Sequence, residues 1–325
     1  MARTLALLLA LFARDGDALS LGRAPPRMSA ALRDGDTVAV VGATGNVGKL
    51  VALRLSERFK VRAVVRDAAR AKAFLGAGEN GANVEYVEAS ITGGGAAALA
   101  PALAGARGVV VCTGTTAFPT RAWAGGGVGA DGVNDAVLDA IGRAGLNWPR
   151  ALAAMTDAGL NTPAAVDDAG ARAVVAAAAA AGDCARFVLM SSIGVTRRAG
   201  FPFSVLNACG VLDAKASAER ALADAAARGG FEHAIVRPGQ LFGGPYDNNF
   251  YLGTLFQLDK DAGTRGVALS RGDDAQGDTL RSALAEVLVQ TLTAPTAPPT
   301  DFTVLTEKGE PPSSEDLQRQ LAALA

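Results

Sequence analysis

Residues 38–55 read VAVVGATGNVGKLVALRL. A Val-rich run ends in three glycines, Gly42, Gly45 and Gly48, after which the pattern becomes helical. This is the form of a strand that turns directly into the N-terminus of a helix. Gly42 lets the chain turn tightly off the strand, Gly45 lets a pyrophosphate approach the backbone, and Gly48 lets the helix pack closely on the sheet. The N–H groups at the helix start then face phosphate. Three glycines in this context, opening the first βαβ unit, point to a dinucleotide. A turn kept for packing alone does not account for their spacing.

Outward from this turn, strand and helix patterns alternate. Strands are expected at TVAVVG (37–42), KVRAVVR (60–66), NVEYVEAS (83–90), RGVVVCTG (107–114), RFVLMSSIG (186–194) and FEHAIVRPG (231–239), with weaker late strands at 266–270 and 301–305. Helices are expected at 47–59, 67–78, 166–182, 212–228 and 279–292, and a helical stretch at 95–106 is interrupted by Pro101. The first strand is apolar without alternation, as for a strand buried on both faces. The fold class that follows is α/β: a Rossmann-like, doubly wound parallel sheet with a small C-terminal substrate region and an insertion in the crossover after the fourth strand.

That crossover normally needs one helix, yet residues 121–165 add Gly-rich and helical material. A helical lid, a peripheral insertion and a gene-model artefact all fit. The organisation expected is a targeting leader over 1–30, a dinucleotide-binding domain over 36–306 with the insertion at 125–158 and a substrate region at 241–300, and a C-terminal tail over 307–325. The tail ends in a short helix with Ser313 and Asp316 spaced as a capping box.

The leader places Arg3 before the apolar run LALLLALFA, followed by DGDALSLG and the basic, Pro-containing GRAPPRMSA. The first part has the form of a signal peptide and is too short to span a membrane as a mature helix. The second, poor in acids, resembles a plastid transit segment behind a signal peptide. The plastid stroma is the expected location, with the secretory pathway as the alternative. No later segment is apolar for the length of a membrane span.

Lys and Arg number 31 against 32 Asp and Glu among 325 residues, a formal charge of −1. This balance gives no electrostatic basis for nucleic acid or anionic membrane partners, and there is no basic stripe for RNA. A single His excludes a multi-histidine metal site. Cys112, Cys184 and Cys209 have no paired spacing and read as small buried hydrophobes.

The end of the second strand bears on the choice between NAD and NADP. Arg66 stands where a 2′-phosphate would project, and a guanidinium binds phosphate bidentately. Asp67 follows and suits a ribose diol, while an ion pair of Arg66 with Asp67 or Glu57 is the purely structural option. NADP(H) is favoured. Ser90 is placed for the adenine edge, and Thr113 and Gly114 for the middle of the cofactor.

Chemistry in open sheets sits at the carboxyl ends of the strands. Ser191 and Ser192 close the fifth strand, and Lys215 opens the next helix in VLDAKASAE. A dehydrogenase of this architecture usually has a Tyr donor one turn before such a Lys, which holds the nicotinamide ribose. Here that position is Val211. Tyr246, in RPGQLFGGPYDNNF, is the remaining candidate donor. Pro238 and Gly239 suit a turn pressed against the nicotinamide carboxamide. Arg237, inside an apolar strand, requires a carboxylate or carbonyl partner. Asp247, Asn248 and Asn249 suit either a polar substrate or a surface turn. Asp167 and Asp168 are read as helix-capping carboxylates.

These pieces resemble the atypical short-chain dehydrogenase/reductases of the NmrA-like, NAD(P)-binding type over about residues 36–306. GATGNVG, VRAVVRD, VVVCTGTTAFPTRAW, RFVLMSSIGVT, VLDAKASAE and IVRPGQLFGGPY occur in that order. A plastid subgroup of plants and algae typically reads CTGTTAFPS..RW.GDNTPE.VDW.G. Here the same text is broken into CTGTTAFPTRAW and GLNTPAAVDDAG (159–170), so that about 125–158 stands as inserted. The resemblance implies that Gly42, Thr44, Gly45, Asn46, Val47 and Gly48 line the pyrophosphate and that Arg66 holds the 2′-phosphate. It also implies that Thr113, Gly114, Ser191 and Lys215 follow the cofactor toward nicotinamide. The family often has an Asp near position 90, from which Ser90 departs. Some such relatives reduce small molecules; others bind NADP as redox-sensing or assembly proteins. The expected activity is hydride transfer to a small carbonyl, enone or quinone-like acceptor, with Ser191, Lys215 and Tyr246 as catalytic residues. The alternative is a non-catalytic NADP(H)-dependent sensor acting on a plastid protein partner.

Overall fold

A computed structural model of the chain describes residues 31–75, 83–145, 147–243 and 263–325. The leader, Tyr246 and the Asp247–Asn249 stretch lie outside the described residues.

Strand β1 (Thr37–Val41) sits at the centre of the sheet. Around it lie β2 (Lys60–Val65), β3 (Val84–Glu88), β4 (Gly108–Val111), β5 (Arg186–Met190) and β6 (Glu232–Pro238). A two-stranded parallel ladder pairs β7 (Gln240–Phe242) with β9 (Asp278–Leu280), and β8 (Gly266–Arg271) and β10 (Asp301–Glu307) complete the set. Among the described residues the main sheet has eight strands in the order β3-β2-β1-β4-β5-β6-β10-β8, parallel except for β8 at the edge. The chain order reverses between β1 and β4, so a crevice opens there at the carboxyl ends of the strands.

Alternate residues of the central strands feed two cores. Val38, Val40, Val110, Val188 and Val236 join α1 (Gly48–Leu55), α2 (Ala68–Leu75), α9 (Arg281–Thr293) and α10 (Ser314–Leu324) on one face. Ala39, Val41, Val109, Val111, Phe187 and Leu189 join α3 (Gly95–Leu103), α6 (Ala171–Ala181) and α8 (Val211–Gly229) on the other. Burial on both faces is why these strands read as unbroken apolar runs.

The excess length after β4 is ordered. It forms α4 (Val133–Ala144) and α5 (Trp148–Asp157), which share a small core of Trp123, Val133, Ala140, Ala151, Met155, Leu160 and Cys209. The two ends of the excursion meet. A Cβ built on Gly126 would stand 2.5 Å from Gly159 Cα, so the two backbones touch where neither carries a side chain. Asn161 closes the neck. Its N–H donates to the Trp123 carbonyl at 2.8 Å, and its side-chain amide donates to the Ala124 carbonyl.

Some elements differ from expectation. The helix expected over 166–182 is a π-helical turn, Ala164–Gly170, followed by α6. Pro101 lies inside α3 instead of interrupting it, at the cost of the N–H that would bond the Ala97 carbonyl. The β7–β9 ladder, three residues per strand, is too short to give a periodic signal. A short α7 (Phe203–Leu206) precedes α8. The capping box at Ser313 and Asp316 forms as expected. All three cysteines are free; Cys112 and Cys209 are buried and Cys184 half-buried, and burial pushes the Cys112 thiol up to about 12.

The partner required by Arg237 is Glu219 of α8, which receives two guanidinium bonds at 3.0 and 2.8 Å. A third goes to Asp301 of β10 at 2.5 Å. Burial opposes the charge of Arg237, but the two carboxylates outweigh it and push its pKa above the usual arginine range. The ion cluster ties α8, β6 and β10 together. Removing one member of a buried pair strands the other's charge. Arg237→Met is expected to lower the unfolding free energy by about 3–5 kcal/mol in a denaturant titration. Asp301→Ala, at the half-exposed end of the cluster, should cost about 1 kcal/mol.

Candidate functional site

The β1–α1 turn is shaped by what it has no room for. Gly42 has φ +85°, and a Cβ there would stand 2.8 Å from Thr113 Cγ2. A Cβ on Gly48 would stand 2.2 Å from the Gly42 carbonyl oxygen. The same oxygen accepts the Gly45 N–H at 2.9 Å. Thr44 and Gly45 are exposed and Asn46 is half-buried, while Val47 and Gly48 are buried. The turn therefore presents 44–46 outward above the crevice. Val47 and Gly48 anchor it from below, and the Val47 side chain belongs to the core.

At the end of β2, Arg66 is exposed and has no ion pair among the described residues. The suggested partnership with Asp67 is absent because that carboxylate accepts the Arg70 N–H at 2.8 Å, capping the start of α2. The Ser90 hydroxyl is engaged in a local turn, donating to the Thr92 carbonyl at 2.9 Å and accepting the Thr92 N–H at 3.2 Å. That turn occupies the group expected at the adenine edge.

Farther along the crevice, Thr113, Asp167, Met190, Ser191 and Lys215 line one cleft. Lys215 is not a solvated helix lysine. Its side chain is 12% exposed, and Nζ lies 2.9 Å from Asp167 Oδ1. Asp167 Oδ2 accepts the Thr115 N–H at 3.1 Å. Gly114 passes directly over the pair: a Cβ there would be 3.4 Å from both Asp167 Oδ1 and Lys215 Nζ. Ser191 donates its hydroxyl proton to Glu219 at 2.5 Å, and Glu219 is held by Arg237. With its proton directed into the fold, Ser191 has lone pairs left for the cleft; in this arrangement it accepts hydrogen bonds and does not polarise an acceptor.

Pro238 and Gly239 serve the fold. The Pro238 carbonyl accepts the Ile193 N–H at 3.0 Å, and the Gly239 N–H donates to Thr279 Oγ1 at 2.8 Å. The close backbone approach that Gly239 permits is to Gly277, whose carbonyl oxygen a Cβ would meet. Val211 packs in an apolar cluster with Val195, Phe203, Leu212 and Ala216, so the position one turn before Lys215 offers no donor.

The chain matches the sequence model of the NAD(P)H-binding family over residues 42–295. It belongs to that family. No curated protein matches this NAD(P)H-binding chain. Among solved structures it is similar to an oxidoreductase from Lactococcus lactis, at 15% identity and TM-score 0.56, over 88% of this chain and 97% of that one. It is also similar to a Bacillus halodurans protein provisionally assigned as an NAD-dependent epimerase/dehydratase, at 21% identity and TM-score 0.55, over 88% of this chain and all (100%) of that one. A third likeness is to an anaerobillin reductase from Escherichia coli O157:H7, at 18% identity and TM-score 0.54, over 85% of this chain and 100% of that one. At these identities the likeness is one of fold. No described helix is long and apolar enough to cross a membrane.

Two residues of this NAD(P)H-binding site escaped the sequence reading. Asp167 was expected to cap a helix; the π-helical turn instead brings its carboxylate to Lys215, while Asp168 pairs outward with Arg172 at 3.4 Å. Glu219 stands four residues after Lys215 on α8, so i,i+4 spacing already put both on one helix face. Gly48→Ala forces a methyl group onto the Gly42 carbonyl and should cost about 1–3 kcal/mol of stability. It should also weaken NAD(P)H binding at least tenfold by isothermal titration, since the helix N-terminus must move.

Proposed function

We propose that the chain is an NADPH-dependent reductase of the plastid stroma, acting on a small carbonyl, enone or quinone-like acceptor. The observation that carries the cofactor choice is Arg66, exposed and without an ion pair among the described residues at the end of β2, while Asp67 caps α2. A free guanidinium there suits a 2′-phosphate, and a carboxylate occupied by a backbone N–H suits a ribose diol poorly. The cradle fits a pyrophosphate, because Gly42 and Gly48 leave room only for backbone and Thr44, Gly45 and Asn46 face outward.

When bound, the dinucleotide supplies hydride at the nicotinamide C4. The residues of the chain then have separate duties. Thr113 and Gly114 flank the path between the phosphates and Lys215. Lys215, ion-paired with Asp167 at 2.9 Å, offers its ammonium to the nicotinamide ribose. Ser191 accepts a hydrogen bond from cofactor or substrate. Tyr246 or water supplies the proton that completes reduction. The plastid assignment rests on the leader composition and on the broken GLNTPAAVDDAG motif of the plastid subgroup.

One observation favours a second reading. Val211 is packed into an apolar cluster where a proton donor would be needed. A protein that binds NADP(H) and signals its redox state to a plastid partner needs no such donor.

Calorimetric titration with NADPH, NADP and NADH tests the cofactor assignment. Arg66→Ala is expected to weaken NADPH binding by about tenfold to a hundredfold, the range for a charge-assisted hydrogen-bonded pair, and to leave NADH unchanged. An equal loss for both cofactors would remove Arg66 from the 2′-phosphate site.

A further inference from the structure

We propose that Asp167 is a positioning residue of the cofactor site, fixing the Lys215 ammonium where the nicotinamide ribose hydroxyls meet it. The inference rests on the NADP(H) reading above and assigns a role to a carboxylate that reading leaves without one.

Three segments distant in sequence converge on this side chain. The loop after β4 contributes the Thr115 N–H, α8 contributes Lys215, and the π-helical turn carries Asp167 itself. Asp167 is 1% exposed at its side chain, and Lys215 keeps 12% at the cleft surface. The carboxylate is thus behind the ammonium, not in front of it. Lys215 stands between Asp167 and the cleft, with its ammonium available to donate outward.

A stabilising role alone explains this arrangement poorly. Burying two charges costs several kcal/mol of hydration per ion, and apolar replacements of such pairs are often neutral or better. The turn that carries Asp167 is also non-standard, since a π-helical segment forgoes regular helical bonding and recurs at functional sites. Its geometry separates two adjacent acids, sending Asp168 outward to Arg172 and Asp167 inward to Lys215. Gly170 ends the turn; a Cβ there would press on Ile91 Cδ1 at 3.0 Å, so the turn is seated closely against the loop after β3. The other end of the segment is held by Asn161, which closes the insertion neck. Lys215 has four rotatable side-chain bonds, and an unheld lysine would sample many positions at the mouth of the cleft. Asp167 removes that freedom before the cofactor arrives.

The test is a double-mutant cycle read with two ligands. NADPH reaches the nicotinamide ribose; adenosine 2′,5′-bisphosphate carries only the adenosine half and does not. Asp167→Asn keeps an acceptor for the Thr115 N–H and removes the charge that holds Lys215. It is expected to raise the NADPH dissociation constant about tenfold. Adenosine 2′,5′-bisphosphate should stay within about twofold of wild type, close to no change in free energy. In a Lys215→Met background, itself weakened for NADPH, Asp167→Asn should add nothing, because Asp167 acts through Lys215. Equal losses for both ligands, no loss of NADPH affinity, or an undiminished loss in the Lys215→Met background would each overturn the proposal. Wild type that binds neither ligand would instead bring down the NADP(H) reading on which it rests. Should Asp167→Asn fail to fold, Asp167→Glu serves in its place: the longer arm displaces Lys215 while keeping the charge. A loss confined to NADPH supports the positioning role, and unchanged NADPH affinity overturns it.

Discussion

Between Gly42 and Gly48 there is no space for a side chain, and much of the rest of the structure depends on that contact. The Gly42 carbonyl lies where the Gly48 Cβ would be, so α1 leaves β1 at the shortest separation the backbone allows. The helix N-terminus is thereby set above the gap between β1 and β4. On the other side, Gly42 also lies against Thr113, in the loop after β4. A single turn thus fixes α1 and the β4 loop relative to each other, and the β4 loop in turn supplies the Thr115 N–H that reaches Asp167. The glycine turn and the Asp167–Lys215 pair are thus connected through the backbone of Thr113, Gly114 and Thr115.

A second constraint comes from the insertion. Thirty or more residues between β4 and β5 would ordinarily loosen the crossover that carries Asp167. The contact of Gly126 with Gly159, closed by Asn161, brings the chain back to within van der Waals distance of where it left. The crossover resumes as though the excursion were absent, and α4 and α5 bury their apolar faces around Trp123 without entering the sheet. The motif interrupted in sequence is continuous in space: Trp123 and Asn161 are hydrogen-bonded neighbours.

The sheet and the nucleotide turn were legible because their signals are local. Unalternating Val runs report two-sided burial, and three glycines report a turn without Cβ atoms. Arg237 was legible too, since a guanidinium inside an apolar strand demands an acid, although the sequence did not say which. Asp167 was misread because ordinary helical phasing was assumed, and a π-helical turn changes where each side chain points. Ser191 lines the cleft, but its hydrogen-bonding direction depends on Glu219, a contact across 28 residues that no periodicity encodes. Gly239 looked like a site glycine because close backbone approach was the right inference; the approaching backbone is that of Gly277.

The polar groups of the cleft divide by the direction of their protons. Glu219, locked by Arg237, takes the proton of Ser191 and leaves that oxygen an acceptor. Asp167 pairs with the Lys215 ammonium at 2.9 Å, and that ammonium remains a donor toward the cleft. An acceptor and a cation side by side match a sugar hydroxyl, which donates to one and accepts from the other, better than they match a carbonyl, which only accepts. This pairing suits the ribose contact proposed for Lys215. On the proposed reductase reading, with Val211 in the apolar cluster, the proton comes from water or from Tyr246. On that reading, positioning the hydride carrier and protonating the product fall to different parts of the chain.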